Sequence, residues 1–297
     1  IKNCSVHVFP VELRLPLGSC SEFLFALTGE TTEELQAELD QLAYIVLYNK
    51  DILLFDLALN SNSRYRERSL KSRAISLVAR SRAELLALID LGRQTMTAGG
   101  IIPDTSPALR DRMFYSAAPA GPDGKIAFVF PGSGNHYPGM GMELFSRWPE
   151  ILRRQDRENL QLRRQFQPEL FWNGAPVGEI NDDHRAVIFG QVAIGCAVSD
   201  LVQSFGVQPT TVIGYSLGES AGLFALRAWR DRDGMYTRMQ DSTLFTSDLT
   251  GECRAARQSW GLADNELAQW SLGVVETPHE AVRAALPSFP RAYLLIV

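Results

Sequence analysis

The sequence predicts an α/β protein with a parallel sheet at its centre, preceded by a smaller α/β unit. Three observations carry this. Short apolar runs rich in β-formers alternate along the chain with helical periodicities. The strand-turn-helix segments of the second part contain nearly continuous apolar strands, as in a parallel sheet covered by helices. A stretch rich in proline and glycine, residues 97–124, divides the chain by composition.

In the first part, 23–28 (Phe-Leu-Phe-Ala-Leu-Thr) reads as a strand. Thr31-Thr32-Glu33-Glu34 forms a capping box, and Leu35, Leu39, Leu42 and Val46 follow at helical spacing. The basic cluster over 61–73, with Arg64, Arg66, Arg68, Lys71 and Arg73, reads as a solvated loop or helix face. A second strand spans 74–79, and Ser81-Arg82-Ala83-Glu84 opens a second helix through Leu85, Leu88 and Ile89. Residues 1–96 thus form a small α/β unit, and 97–124 a connecting linker.

The second part begins with strand 125–130, which runs into Pro131-Gly132-Ser133-Gly134. Residues 143–174 read as helices. An amphipathic helix is predicted over 191–205, a strand over 210–213 and a small, apolar helix over 217–226. Residues 270–276 and 291–297 read as strands flanking a helix that starts at Pro278. The opening Ile1 and the apolar run ending at Val297 read as the ends of a fragment.

Composition narrows the function classes. The chain has 297 residues, 45% hydrophobic and 21% charged, with a formal net charge of −5. That balance gives no reason to expect nucleic acid or an anionic membrane as partner. The four cysteines, Cys4, Cys20, Cys196 and Cys253, form no C-x-x-C pair, so neither a disulfide framework nor a metal site is expected. They read as reduced thiols of a cytoplasmic protein. No signal peptide and no membrane-spanning run is read from the sequence.

Two motifs carry chemistry. Gly214-Tyr215-Ser216-Leu217-Gly218 lies between a predicted strand and a predicted helix, the setting in which G-x-S-x-G presents a nucleophilic serine at a sharp turn. The alternative is a serine that merely caps the helix. Phe130-Pro131-Gly132-Ser133-Gly134-Asn135-His136, continuing to Gly139-Met140-Gly141, is a strand followed by a glycine-rich loop whose N–H groups could face an oxyanion. It has no G-K-[ST] and no third glycine in the dinucleotide register, so a nucleotide is not expected there.

Together these motifs resemble the acyltransferase domains of polyketide and polyunsaturated fatty acid synthases and the malonyl-CoA:carrier-protein transacylases. In that family the loop reads F-P-G-Q-G-S-Q-x-x-G-M-G and the elbow reads G-H-S-x-G-E; Glu219 completes the second here. The first part is similar to the linker that joins a ketosynthase to such domains. The resemblance implies a hydrolase-like core over 125–269 and the first half of a ferredoxin-like subdomain over 270–297. It implies that Ser216 carries the acyl group and that the backbone N–H groups of Leu217 and Ser133 form the oxyanion hole. Gln191, in Gln191-Val192-Ala193, is similar to the family's Gln-Pro-Ala glutamine near the site. The implied substrates are an acyl-CoA thioester and the phosphopantetheine thiol of an acyl carrier protein, with no bound cofactor. Neighbouring synthase domains are the implied partners.

The chain departs from the family in places. Tyr215 replaces the histidine before the nucleophile, and His136 replaces a glutamine. Where malonyl-specific members place an arginine, this chain has Asp241, with Arg238 three residues earlier; an aspartate there would repel a carboxylate, which points away from malonyl and toward a neutral acyl group unless Arg238 takes over the pairing. A nucleophilic serine needs a base. The histidines are His7, His136, His184 and His279, and the family's catalytic histidine would fall past Val297. His136 is the candidate beside the loop. Two other functions fit the same residues. An α/β-hydrolase esterase would use Asp231, Asp233, Asp241 or Asp248 with His279, an order the sequence allows. A docking module with a decayed core would account for the departures at His136, Tyr215 and Asp241.

Overall fold

The computed structural model describes residues 17–297 apart from 19, 68–71, 122, 175–182, 250, 264 and 296. The chain divides into two units, 1–127 with 207–211, and 128–206 with 212–297.

The first unit runs β1 (Phe23–Gly29), α1 (Thr32–Tyr48), α2 (Leu54–Glu67), β2 (Arg73–Ala79), α3 (Arg82–Thr97), α4 (Pro107–Arg110) and β3 (Met113–Ser116). Its sheet has the order β1-β2-β3, antiparallel throughout, with Phe25 opposite Leu77 and Leu77 opposite Met113. Alternation sends Phe25, Ile75, Leu77 and Met113 to the inner face, where they meet Leu35 and Leu39 of α1 and Leu85 and Leu88 of α3. Each such side chain contributes about 1.5–3 kcal/mol when fully buried.

Both helix starts read from the sequence are formed. Thr31 Oγ1 accepts from Glu34 N at 3.2 Å, and Ser81 Oγ accepts from Glu84 N at 3.1 Å. The glutamates fold back one residue further than a capping box requires, accepting from Glu30 N at 3.0 Å and Arg80 N at 2.7 Å. The basic stretch begins as the end of α2; Arg68 and Lys71 lie outside the described residues. The reading of 97–124 as a linker needs correction. The prolines and glycines of that stretch surround a four-residue strand, β3, which completes the sheet.

The second unit runs β4 (Ala127–Phe130), α5 (Met142–Arg147), α6 (Pro149–Glu158), α7 (Leu162–Gln165), α8 (Pro168–Trp172), α9 (His184–Ser204), β5 (Thr211–Gly214), α10 (Leu217–Ala225), α11 (Arg232–Asp241), α12 (Arg254–Trp260) and α13 (His279–Ala285). Strands β4 and β5 pair. Ile126 O accepts from Thr211 N at 3.4 Å and Phe130 O accepts from Tyr215 N at 3.2 Å; the bonded positions advance together, so the pair is parallel. One face, with Phe128, Phe130 and Val212, packs on Val192 and Cys196 of α9 and on Ala221 and Phe224 of α10. The parallel sheet forms as expected, but the helix cover lies on this face. Val129 and Ile213 on the other face are exposed, because no described helix lies over them.

Helix α9 starts seven residues before the predicted helix and is long and apolar enough to cross a membrane, contrary to the sequence reading. Its composition has another cause: Val187 and Ala193 enter one core while Val192 and Cys196 enter another, so most of its circumference is covered by protein. A second correction concerns the end of the chain. Helix α13 forms, but 270–276 and the described residues of 291–297 are not strands. They have no pairing partner among the described residues, and Leu272 and Val274 stand exposed.

A polar network crosses the second unit. Asp200 of α9, 1% exposed, accepts from both terminal nitrogens of Arg227, at 2.6 and 2.7 Å, and from Gln155 Nε2 of α6 at 2.7 Å. Arg227 also donates to Glu158 at 2.8 Å. Burial pushes the Glu158 carboxyl up, but the charges and hydrogen bonds of Arg227 and Arg154 outweigh it and hold it below the ordinary 4.5. A depressed folded-state value stabilises the fold above the unfolded one and is lost as pH falls through it. Unfolding monitored across pH should therefore show a loss of stability beginning below about pH 4.5, reduced in Glu158→Gln.

Cys196 tests the same core from the other side. Burial pushes its thiol from 9.0 up to about 11 although Arg232 and Arg227 oppose the shift. Native protein treated with iodoacetamide at neutral pH should be alkylated at the exposed Cys20 and spared at Cys196, which should react only on unfolding.

Candidate active site

Strand β5 ends at Gly214 and α10 begins at Leu217, so the chain turns within Tyr215 and Ser216. The turn is sharp. Ser216 adopts φ 53° and ψ −115°, a conformation that strains any residue with a side chain. Gly218 makes it sterically possible: a Cβ there would stand 2.1 Å from Phe130 O, so only glycine lets α10 lie directly on β4. The Ser216 side chain makes no capping hydrogen bond to α10, which removes the helix-cap alternative. It is exposed, and its hydroxyl has no hydrogen-bond partner among the described residues.

The glycine loop reaches the same place from β4. A Cβ on Gly132 would lie 2.8 Å from Tyr215 Cδ1 and 3.2 Å from Tyr215 O. The loop backbone therefore presses against the elbow, with Tyr215 over Gly132. The Gln191 carboxamide holds the loop from α9. Its Nε2 donates to Gly132 O at 3.2 Å, and its Oε1 accepts from Gly134 N at 3.2 Å. This pairing, like one rung of a sheet, occupies the residues on either side of Ser133. The Ser133 N–H itself has no partner among the described residues, and neither has the Leu217 N–H at the start of α10. Asn135 Nδ2 adds a bond to Gly132 O at 3.0 Å, and Gly139 N donates to Phe171 O at 2.6 Å, tying the far end of the loop to the α8 core.

The other sequence candidates are placed differently. His136 is 9% exposed with both ring nitrogens unpartnered among the described residues, so it is not paired with Ser216. His184 is exposed at the start of α9, His279 pairs with Glu280 at 3.1 Å, and His7 lies outside the described residues. Arg238 and Asp241 are both exposed on the last turn of α11, and no hydrogen bond or ion pair connects either to the elbow. No metal-ligating cluster occurs among the described residues. An esterase triad is not assembled among them. Asp231 caps α11 by accepting from Gly234 N at 2.7 Å, Asp233 is bonded to the 160–165 segment, and Asp248 accepts from Thr243 at 2.8 Å.

The elbow and loop geometry agrees with comparisons to known proteins. A model of the acyl transferase domain matches residues 127–275, about half of the sequence. The chain belongs to the acyl transferase domain family. Among curated relatives, the conidial pigment polyketide synthase PfmaE of Pestalotiopsis fici is 32% identical over 145 residues, 47% of this chain and 7% of that protein. The non-reducing polyketide synthase PKS19 of Phaeosphaeria nodorum is 27% identical over 235 residues, 76% of this chain and 12% of that protein. The chain thus spans a small part of the relatives' length. Among solved structures, the acyl transferase domain of ZmaA superposes with a TM-score of 0.58 at 18% identity, covering 93% of this chain and 56% of that one. The acyltransferase domain from module 8 of the salinomycin polyketide synthase gives 0.53 at 20% identity, over 69% of this chain and 45% of that one. These structural likenesses concern the fold: an α/β core with a parallel sheet.

Two features of this acyltransferase unit escaped the sequence reading. Gln191 lies near the site as the resemblance implies, and its two hydrogen bonds to the loop are an addition that the sequence does not signal. Arg227, with φ 55°, closes α10 in the left-handed region where glycine is usual, and Asp200 secures it.

Proposed function

We propose that this acyltransferase unit moves an acyl group from an acyl-CoA thioester, through an ester on Ser216, to the phosphopantetheine thiol of an acyl carrier protein. The setting is a multidomain polyketide or polyunsaturated fatty acid synthase, in which residues 17–127 serve as the linker from a ketosynthase. The observation that carries the reading is an unengaged Ser216 hydroxyl on an elbow that Gly132 of the loop presses against, with the Leu217 and Ser133 N–H groups also unengaged. In the first half-reaction Ser216 Oγ attacks the thioester carbonyl and gives its proton to a base. The two amides hold the resulting oxyanion, the carbon–sulfur bond breaks, and CoA leaves as the thiol. In the second, the carrier thiol attacks the ester, its proton returns to Ser216, and the acyl thioester departs. The family resemblance implies a histidine base; none of His136, His184 and His279 is bonded to the Ser216 hydroxyl.

Asp241 at the family's arginine position makes a neutral acyl group the favoured cargo. Competition between malonyl-CoA and neutral acyl-CoAs in the loading of Ser216 should favour the neutral thioesters; preferential malonyl loading would contradict this. Gln191 acts through the loop. Gln191→Ala should lower the rate of Ser216 loading about 10- to 100-fold, below the effect of deleting an oxyanion donor outright. The substrate KM and the melting temperature should stay near wild type. Gln191→Glu keeps the bond from Gly134 but loses the donor to Gly132 O and adds a negative charge beside the oxyanion, so it should be slower still. Rapid-quench measurement of acyl-enzyme formation separates these outcomes.

A further inference from the structure

The amides of Leu217 and Ser133 are held in different ways. Each lies on one edge of a planar trans peptide whose carbonyl oxygen lies on the opposite edge, so fixing the oxygen fixes the direction of the N–H. The Leu217 N–H belongs to the Ser216–Leu217 peptide, whose oxygen accepts from Glu219 N at 3.0 Å in the first turn of α10. The Ser133 N–H belongs to the Gly132–Ser133 peptide, which is part of no helix or strand. Its oxygen accepts from Gln191 Nε2 at 3.2 Å and from Asn135 Nδ2 at 3.0 Å. These bonds act at the oxygen alone. Gly132 has no side chain with which to pack, so its Cα must be held from outside.

The ring of Tyr215 does this. Its Cδ1 and Cε1 would stand 2.8 and 3.3 Å from a Cβ on Gly132, which puts the ring in van der Waals contact with the glycine itself. Tyr215 is in turn fixed at both backbone groups. Its N–H donates to Phe130 O at 3.2 Å, and its oxygen accepts from Gly218 N at 2.9 Å. The ring does little else for the fold. It is 65% exposed and belongs to none of the apolar cores, and its hydroxyl has no hydrogen-bond partner among the described residues. Gly132 beneath it is buried.

We infer that Tyr215 is a positioning residue for acyl transfer. Its ring is the stop against which the Gln191 and Asn135 amides hold the Gly132–Ser133 peptide, and this keeps the Ser133 N–H aimed at the oxyanion. The ring performs the task and the hydroxyl has no part in it. The inference rests on the transfer reading above. A donor aimed at an oxyanion loses its effect when it is displaced by a fraction of a bond length, so a loop built on glycine needs a stop on each side.

The test measures Ser216 acylation by an acyl-CoA in the 297-residue chain. Separately it measures phosphonylation by a fluorophosphonate, in which the serine oxygen displaces fluoride, the proton is released to solvent, and the phosphoryl oxygen takes the place of the oxyanion. Tyr215→Ala should lower both maximal rates about 10- to 100-fold, with the half-saturating acyl-CoA concentration within about twofold of wild type. Tyr215→Phe, which keeps the ring, should recover both rates to within about threefold of wild type. Gly132→Ala sets a methyl group against the ring and should be slow as well. In that background Tyr215→Ala should raise the rates, because the contact that remains, 3.2 Å to Tyr215 O, needs only a small shift. A residue that served only the fold would not change the sign of its effect with the size of its neighbour. Wild-type rates in Tyr215→Ala, or a phenylalanine variant as slow as the alanine one, overturns the inference. So does a raised half-saturating concentration at an unchanged maximal rate, which would make the ring a substrate contact. Matching melting curves exclude misfolding; should Tyr215→Ala unfold, Tyr215→Val takes its place with the same expected direction. A wild-type chain that reacts with the fluorophosphonate and not with acyl-CoA overturns the transfer reading, and the phosphonylation rates then decide the role of Tyr215. A chain inert to both reagents overturns both.

Discussion

Replacing Ser216 with alanine should abolish acyl transfer and leave the fold intact. The hydroxyl makes no capping bond and has no partner among the described residues, so removing it breaks nothing that holds β5 or α10. Loss of the nucleophile in serine acyl-transfer enzymes lowers turnover on the order of 10⁶-fold, and a drop of that order is expected in a synthase carrying the change. Ser216→Gly sharpens the test. Glycine relieves the strain of φ 53° and ψ −115°, so this variant should be as inactive as alanine and more stable by roughly 1 kcal/mol. Activity assays with thermal melts on the two variants check both parts. A serine whose change left turnover intact would not be the acyl carrier.

The largest effect on stability should come from Asp200→Ala. This carboxylate is 1% exposed and accepts two bonds from Arg227 and one from Gln155. Its removal leaves the Arg227 guanidinium beside a void, and breaking a buried pair in this way costs about 3–5 kcal/mol. Arg227 also loses the support for its left-handed backbone, so the end of α10 should loosen. Arg227→Ala should destabilise strongly too, and the double variant should cost less than the sum by about 0.5–3 kcal/mol, since both singles break one interaction. Denaturant titration of the four proteins gives the cycle. Additive losses would mean that the pair contributes nothing as a pair.

The parts of this protein that were legible in its sequence are those set by local chemistry. The two capped helices announce themselves through Thr31 with Glu34 and Ser81 with Glu84. The strand-elbow-helix around Ser216 needs glycine at 214 and 218 because backbone passes there at close range. What escaped depends on partners distant in sequence. Strand β3 is four residues among prolines, and its identity comes from pairing with β2. Residues 270–276 have strand-like composition, yet without a neighbour their apolar side chains stay in solvent. Helix α9 conceals a polar function on each side: Gln191 toward the loop and Asp200 toward Arg227. A lone aspartate inside Ala-Val-Ser-Asp-Leu-Val was the available signal, since a charge in so apolar a helix requires a buried partner.

The most direct test of the central claim is a crystal structure of the protein with a phosphonate bonded to Ser216 as a mimic of the tetrahedral intermediate. The account predicts the phosphoryl oxygen about 2.7–3.1 Å from both the Leu217 and Ser133 nitrogens, with Gln191 still bridging Gly132 and Gly134. A phosphoryl oxygen turned to solvent, or a reagent bonded to another residue while Ser216 stays free, would contradict it.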